Sequence, residues 1–309
     1  MDESLGQLAG LGTAACWAMT SLFFADASTR VGSLVVNFVR LVLALAMLSL
    51  VTSITRGMPW PTDATGHAWL WLSVSGLFGF TLGDLCLLRA LVVIGPRLGS
   101  LLMSFAPPFT ALIGWAILGE TLRLDQLLGM TLTVGGVGWA LADRRRDDDG
   151  DGEKKDESAQ APLDRGAMVR GVLLGIGAGL GQAAGLVLSK YGMGDYDAMA
   201  ATQIRVVAGG LGFAAIFTAT RWWPRVRSAL SNRRAMRSTT IGAVFGPFLG
   251  VWLSLFAVQH TNAGVAASLM ATSPIIIIPM VVLVRREKVG WGGILGTVLA
   301  VAGVVLLVR

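Results

Sequence analysis

Charged residues are scarce in this chain. Asp, Glu, Lys and Arg make up 14% of its 309 residues, while 54% are hydrophobic. A soluble domain carries about 25% charged residues. A water-facing globule is therefore excluded, and the lipid bilayer becomes the first expected partner. Cysteine is nearly absent too: Cys16 and Cys86 both lie in apolar runs, which argues against a structural disulfide. There are two histidines, His67 and His260, each near the end of an apolar run. Neither has the Cys, His or carboxylate neighbours of a metal site. No nucleophile, base and orienting group stand together in the pattern of an enzyme. The formal charge of +6 is not gathered into a basic, aromatic-interleaved surface, so nucleic acid is not an expected partner. The start, MDESLGQ, lacks the basic residues and cleavage site of a signal peptide. The first apolar run is therefore expected to be retained. No cofactor and no metal is expected.

What the chain does have is a duplication. Gly83–Trp139 and Gly250–Leu306 superpose without a gap at an offset of 167 residues. Gly83 falls on Gly250, Ala90 on Ala257, Met103 on Met270 and Pro107 on Pro274. Glu120 falls on Glu287, Gly129 on Gly296 and Gly136 on Gly303. A register held over more than fifty residues marks a repeated unit. It is much longer than a solenoid repeat and fits the two-fold repeat of secondary transporters.

Apolar runs long enough to cross about 30 Å of hydrocarbon divide the first unit into five spans. They fall at Leu5–Ala25, Leu34–Thr52, Ala68–Leu88, Leu98–Leu118 and Gln126–Ala142, with a turn at Gly95-Pro96-Arg97. The second unit gives Gly171–Ser189, Ala198–Thr220, Thr239–Val258, Ala263–Val284 and Trp291–Val308. Arg205 matches Arg40 at an offset of 165, so the earlier spans also correspond, with a two-residue slip. Between the units, Asp143 to Arg165 carries 15 charged residues in 23 and reads as a disordered tether. The expected organisation is a five-helix unit over 1–142, a linker over 143–166 and a second unit over 167–309. Gly171, Gly175 and Gly179, and likewise Gly177, Gly181 and Gly185, recur every fourth residue. The spacing fails the dinucleotide-loop pattern and suits close packing of membrane helices.

Two blocks, PPFTALIGWAILGETLRLDQLLGMTLTVGGVGW and SPIIIIPMVVLVRREKVGWGGILGTVLAVAGVVL, resemble the EamA type of the drug/metabolite transporter superfamily. The shared features are a proline (Pro107, Pro274), a terminal Glu (Glu120, Glu287) and a following small-residue helix. The second copy departs from the pattern, with Arg-Arg-Glu where a small residue usually precedes Glu. The resemblance implies an all-α membrane protein of ten helices, packed as an inverted pair of five-helix units around a cavity. It implies transport of a small-molecule substrate, with export of amino acids, metabolites or drugs the commoner activity. Inversion also follows from the odd number of spans per unit.

Several residues are expected to line the cavity. Pro107 and Pro274 each remove a helix hydrogen bond in mid-span, and Ser104 and Ser273 stand near them. Met103 and Met270 offer an adaptable apolar wall. Trp17, Gln182 and Trp252 sit away from the interfaces, with Gln182 on the position of Trp17 in the repeat. Arg40 and Arg205 lie in apolar spans, where snorkelling to the interface competes with binding a substrate carboxylate. Glu120 and Glu287 are read as helix caps. Asp84 is the one carboxylate inside an expected span, and its position in the repeat is taken by Val251. Arg40 is its best partner. A coupling proton or cation, or a cationic part of the substrate, is expected at Asp84, or else a structural pair with Arg40 or snorkelling near the span end. Finally, 19 Lys and Arg residues fall on the loops of one side and four on the other. The positive-inside rule then places both termini outside a plasma (inner) membrane, opposite to the family's usual arrangement.

Overall fold

The computed structural model describes residues 2–148, 165–276 and 291–308. Glu287, Arg285, Arg286, Lys288, the centre of the charged linker and the end of the expected ninth span lie outside these. Among the described residues every element is helical. α1 (Asp2–Val31) and α2 (Ser33–Arg56) turn about Gly32, whose φ of +86° suits glycine alone. α3 (Gly66–Gly76) starts on Thr65, whose hydroxyl accepts from the N–H of Ala68. It runs through a π-helical segment, Leu77–Gly83, into α4 (Asp84–Met103). α5 (Ala106–Leu118) and α6 (Leu124–Asp148) complete the first half. The second half holds α7 (Arg165–Met193), α8 (Ala198–Ala219), α9 (Trp223–Leu230) and α10 (Arg233–Ala243). A second π-helical segment, Val244–Gly250, then leads to α11 (Val251–His260), α12 (Ala263–Met270) and α13 (Trp291–Leu307).

Among the described residues, six helical stretches are long and apolar enough to cross a membrane: Glu3–Val31, Ser33–Arg56, Gly66–Ile94, Arg165–Met193, Ala198–Ala219 and Arg233–His260. Ala106–Leu118, Ala263–Ile276 and Ile294–Leu307 are shorter apolar helices. Large apolar side chains such as Leu50, Ile54, Val92 and Leu112 face outward. That pattern suits a lipid surround in which helices satisfy their own backbone.

α4 includes Gly95-Pro96-Arg97, where a turn was expected, yet the chain does reverse. A Cβ on Gly99 would stand 2.7 Å from a methyl of Leu91. Eight residues of straight helix would separate them by about 12 Å. α7 packs both arms of this hairpin with its two glycine stripes. Gly177, Gly181 and Gly185 face Cys86, Gly83 and Gly79 on one arm, while Gly175 and Gly179 face Leu102 and Phe109 on the other.

Two expectations change here. α6 continues to Asp148 and α7 begins at Arg165, so both ends of the segment read as linker are helical. The fourth span is interrupted: the helix breaks at Ser104–Phe105, and Pro107 lies in the first turn of α5. Pro274 likewise follows a turn at Ala271–Thr272, in the first turn of the helical residues 273–276. Neither proline kinks a helix interior. In a first turn the missing N–H has no intrahelical partner to lose, and the fixed φ favours helix initiation.

Corresponding elements of the two halves pack antiparallel. In α6 and α13, Gly129 meets Gly303 and Gly136 meets Gly296. Each pair is the other's image in the repeat. In α2 and α8, Gln203 bonds Ser49 at 2.9 Å, and Phe38 meets Phe217 with ring centroids 5.4 Å apart. The first helices are exchanged between halves. α7 seats on the first π segment: Gly181 on Gly83, Gly185 on Gly79, and Ser189 hydrogen-bonded to Ser75 at 2.7 Å. α1 seats the same way on the second: Trp17 on Gly250, Thr20 on Gly246 and Phe24 on Gly242. The main apolar core, with Leu41, Leu48, Leu72, Ile204, Phe213, Phe217 and Leu255 fully buried, joins α2, α3, α8 and α11.

Candidate functional site

The two π segments are related by the same 167-residue offset, LFGFTLG against VFGPFLG, so the repeat begins upstream of Gly83. A π turn carries one extra residue and clusters at functional sites. In the second copy it accommodates Pro247, which has no N–H to give an α-helical ladder. Immediately after each segment stand Asp84 and Val251.

Between the halves lies a cavity of about 590 Å³. Trp17, Arg40, Asp84, Met103, Ser104, Pro107, Gln182, Arg205, Met270, Ser273 and Pro274 all line it. Trp252 does not; it packs half-buried against the apolar core. Val251 and Ser254, three apart on one helix face, line the cavity in its place. The residues that the sequence reading missed include Thr20, Phe80, Leu87, Thr110, Leu186, Gly246, Pro247 and Ser254. The duplicated FGxxLG pattern was the available signal for Phe80, Gly246 and Pro247.

Most of the lining comes in repeat-related pairs: Trp17 with Gln182, Arg40 with Arg205, Phe80 with Pro247, Asp84 with Val251, Leu87 with Ser254, Met103 with Met270 and Pro107 with Pro274. The cavity therefore sits on the pseudo-two-fold axis. The lining positions correspond across the repeat, while the chemistry of several pairs differs.

The ionic groups show this most sharply. Arg40 Nη2 donates to Asp84 Oδ2, and its guanidinium lies over Phe24, 5.2 Å from the ring centroid. The side chains of Arg40 and Asp84 are 16% and 10% exposed. Arg205 is 4% exposed, with its guanidinium 5.1 Å above the Phe80 ring. Gly79 leaves the room it needs, since a Cβ there would come within 3.2 Å of Arg205 Nη2. Neither arginine snorkels to an interface, one of the two readings offered for them. Both turn inward, where Asp84 and the ring faces offer partners that lipid does not.

One end of the cavity is tied by ions. Lys190, one turn beyond Leu186, approaches Glu120 Oε1 at 2.5 Å and donates to the Thr261 carbonyl at 2.7 Å. Glu120 Oε2 accepts from the N–H of Ala263 at 2.8 Å. Glu120 was expected to cap the helix that follows it. It caps α12 instead, because the left-handed Gly119 (φ +68°) turns the chain toward the other half. The connection thus joins α5, α7 and α12.

The chain matches the EamA-like transporter family over residues 4–142 and again over 169–309. It belongs to that family, as a multi-pass helical membrane protein of two repeats. No curated protein matches it. Among solved structures, one described as "Crystal structure of protein" superposes with a TM-score of 0.73, covering 97% of this chain and 95% of that one at 14% identity. At that identity the likeness concerns the fold.

Proposed function

We propose that the protein is a secondary carrier moving a small organic solute outward across the plasma membrane, with ten spans in two inverted units over 1–142 and 167–309. The single observation that supports this is the cavity itself, built on the pseudo-two-fold axis from paired residues of both halves. An axis through the binding site is what alternating access between equivalent arrangements needs. Because the first helices are exchanged, α1 moves with α10 to α12 of the second unit, and α7 with α3 to α5 of the first. Asp84 is the proposed site of a coupling proton or cation, exchanged against its pair with Arg40. The charge bias supports both termini outside, and a C-terminal fusion to a protein that fluoresces only in the cytoplasm is then dark.

Uptake and efflux by proteoliposomes, measured against a metabolite panel, test the reading. Movement of at least one solute, with a pH dependence that Asp84→Asn removes, is the expected result. A folded protein that moves none of them is a receptor or scaffold instead.

A further inference from the structure

The Arg40–Asp84 pair has an image in the repeat, and that image is incomplete. Arg205 occupies the place of Arg40, but the place of Asp84 is taken by Val251, and both residues line the cavity. Among the described residues Arg205 has neither an ion pair nor a hydrogen-bonded partner for its side chain, and its buried Nε is unsatisfied. The Phe80 ring and the gap over Gly79 face its guanidinium. A cation this deeply enclosed without a counter-ion is costly. In a transporter the missing charge is naturally the one that the cargo brings.

We propose that Arg205 is the anchor of a carboxylate on the solute, and that the solute is an organic monoanion with an apolar body. This deepens the carrier reading above and rests on it. Three observations converge. The described cavity groups carry two guanidiniums and one carboxylate, a surplus of one positive charge, so one negative charge balances them. The free group is a single guanidinium fork, which matches a carboxylate in bidentate fashion. A phosphate dianion needs a second cation, and Arg40 is already engaged by Asp84. Around the fork the wall is largely apolar, with Trp17, Phe80, Leu186, Met103 and Met270 positioned against a hydrocarbon or aromatic body. The volume of about 590 Å³ falls within the range of small-molecule pockets. The unequal chemistry of the paired walls gives such an amphipathic solute one preferred orientation.

The experiment compares three near-isosteric probes, phenylacetate, phenylacetamide and phenethylamine, on purified full-length protein. Thermal shift and competition in detergent read binding, while proteoliposome efflux reads transport. The expected result is at least tenfold tighter binding of phenylacetate than of the amide, with the amine weaker still. Arg205→Met abolishes the preference, and Arg205→Lys keeps part of it. Val251→Asp supplies the absent counter-ion from within the protein, so it removes phenylacetate binding while leaving Arg205 in place. Because Arg205→Met and Val251→Asp perturb the fold in opposite ways, failure of one to fold leaves the other as the test. The proposal is overturned if the three probes bind alike, if the amine binds best, if none binds, or if the carboxylate preference survives in a folded Arg205→Met or Val251→Asp. Transport of other solutes alongside any of these results sinks the anion site and leaves the carrier standing. Arg205-dependent binding of phenylacetate with no solute moved sinks the carrier and leaves the anion site standing.

Discussion

A carboxylate at the centre of a membrane helix costs roughly 2.5–3.5 kcal/mol on insertion scales. Asp84 offsets that cost through Arg40 on the neighbouring helix. Removing one partner of a buried pair leaves the other uncompensated, at about 3–5 kcal/mol, whereas replacing both with apolar residues is often neutral. Arg40→Met alone is therefore expected to lower thermal stability in detergent strongly. Arg40→Met with Asp84→Leu should restore most of it, whatever happens to transport. A double variant no more stable than Arg40→Met would show that the pair is not what holds these helices together. These residues were legible in the sequence because a charge inside an apolar run stands out, and Arg40 in the preceding span could be named as the partner of Asp84. Trp252 was misplaced for the same kind of reason. It is a mid-span aromatic, but it lies about 100° around the helix from Val251, which does face the cavity.

At the level of elements, close contact between backbones decides what each glycine tolerates. A Cβ at Gly181 would stand 2.9 Å from the Gly83 Cα, and backbone on both sides leaves nothing that can move cheaply. Gly181→Ala should thus separate α7 from the first π segment and cost about 1–3 kcal/mol. Gly210→Ala meets nothing within 4 Å. It should instead gain roughly 0.5–1 kcal/mol, the ordinary helical advantage of alanine over glycine. Unfolding midpoints of the two variants, measured in parallel, check the contrast; equal effects would remove the close contact as the cause. The glycine stripes were readable because spacing alone implies a packing face. The π segments were not, since an α turn and a π turn differ by a single shift in hydrogen bonding that leaves the hydropathy unchanged. The prolines misled for a related reason. Pro107 inside an unbroken apolar run looks like a kink, and only the break at Ser104–Phe105 turns it into a helix start.

For the whole molecule, the duplication and the expected inversion followed from register and from counting spans. The exchange of first helices did not, because nothing local in α1 says which half supplies its seat. It has a direct test. Residues 1–148 produced alone carry an α1 without its glycine-lined groove and a first π segment without α7. Residues 165–309 have the mirror deficit. Each half made alone is expected to aggregate or be degraded, and the two made together should co-purify through a tag on one. Stable, monodisperse single halves would mean that the exchanged contacts contribute little.

The same exchange separates the order in which this chain is synthesised from the order in which it is completed. α1 leaves the ribosome first, yet its groove, Gly242 to Gly250, is made more than 200 residues later. At about 5–20 residues per second the oldest helix waits roughly 10–40 s in the bilayer, its small and polar positions Gly10, Thr13 and Thr20 without their final neighbours. α7, in contrast, finds its own groove, Gly79 and Gly83, already laid down. Maturation is thus staggered: the arrangement around α7 can close while the nascent chain is still growing, whereas the one around α1 must wait until the second π segment has been made.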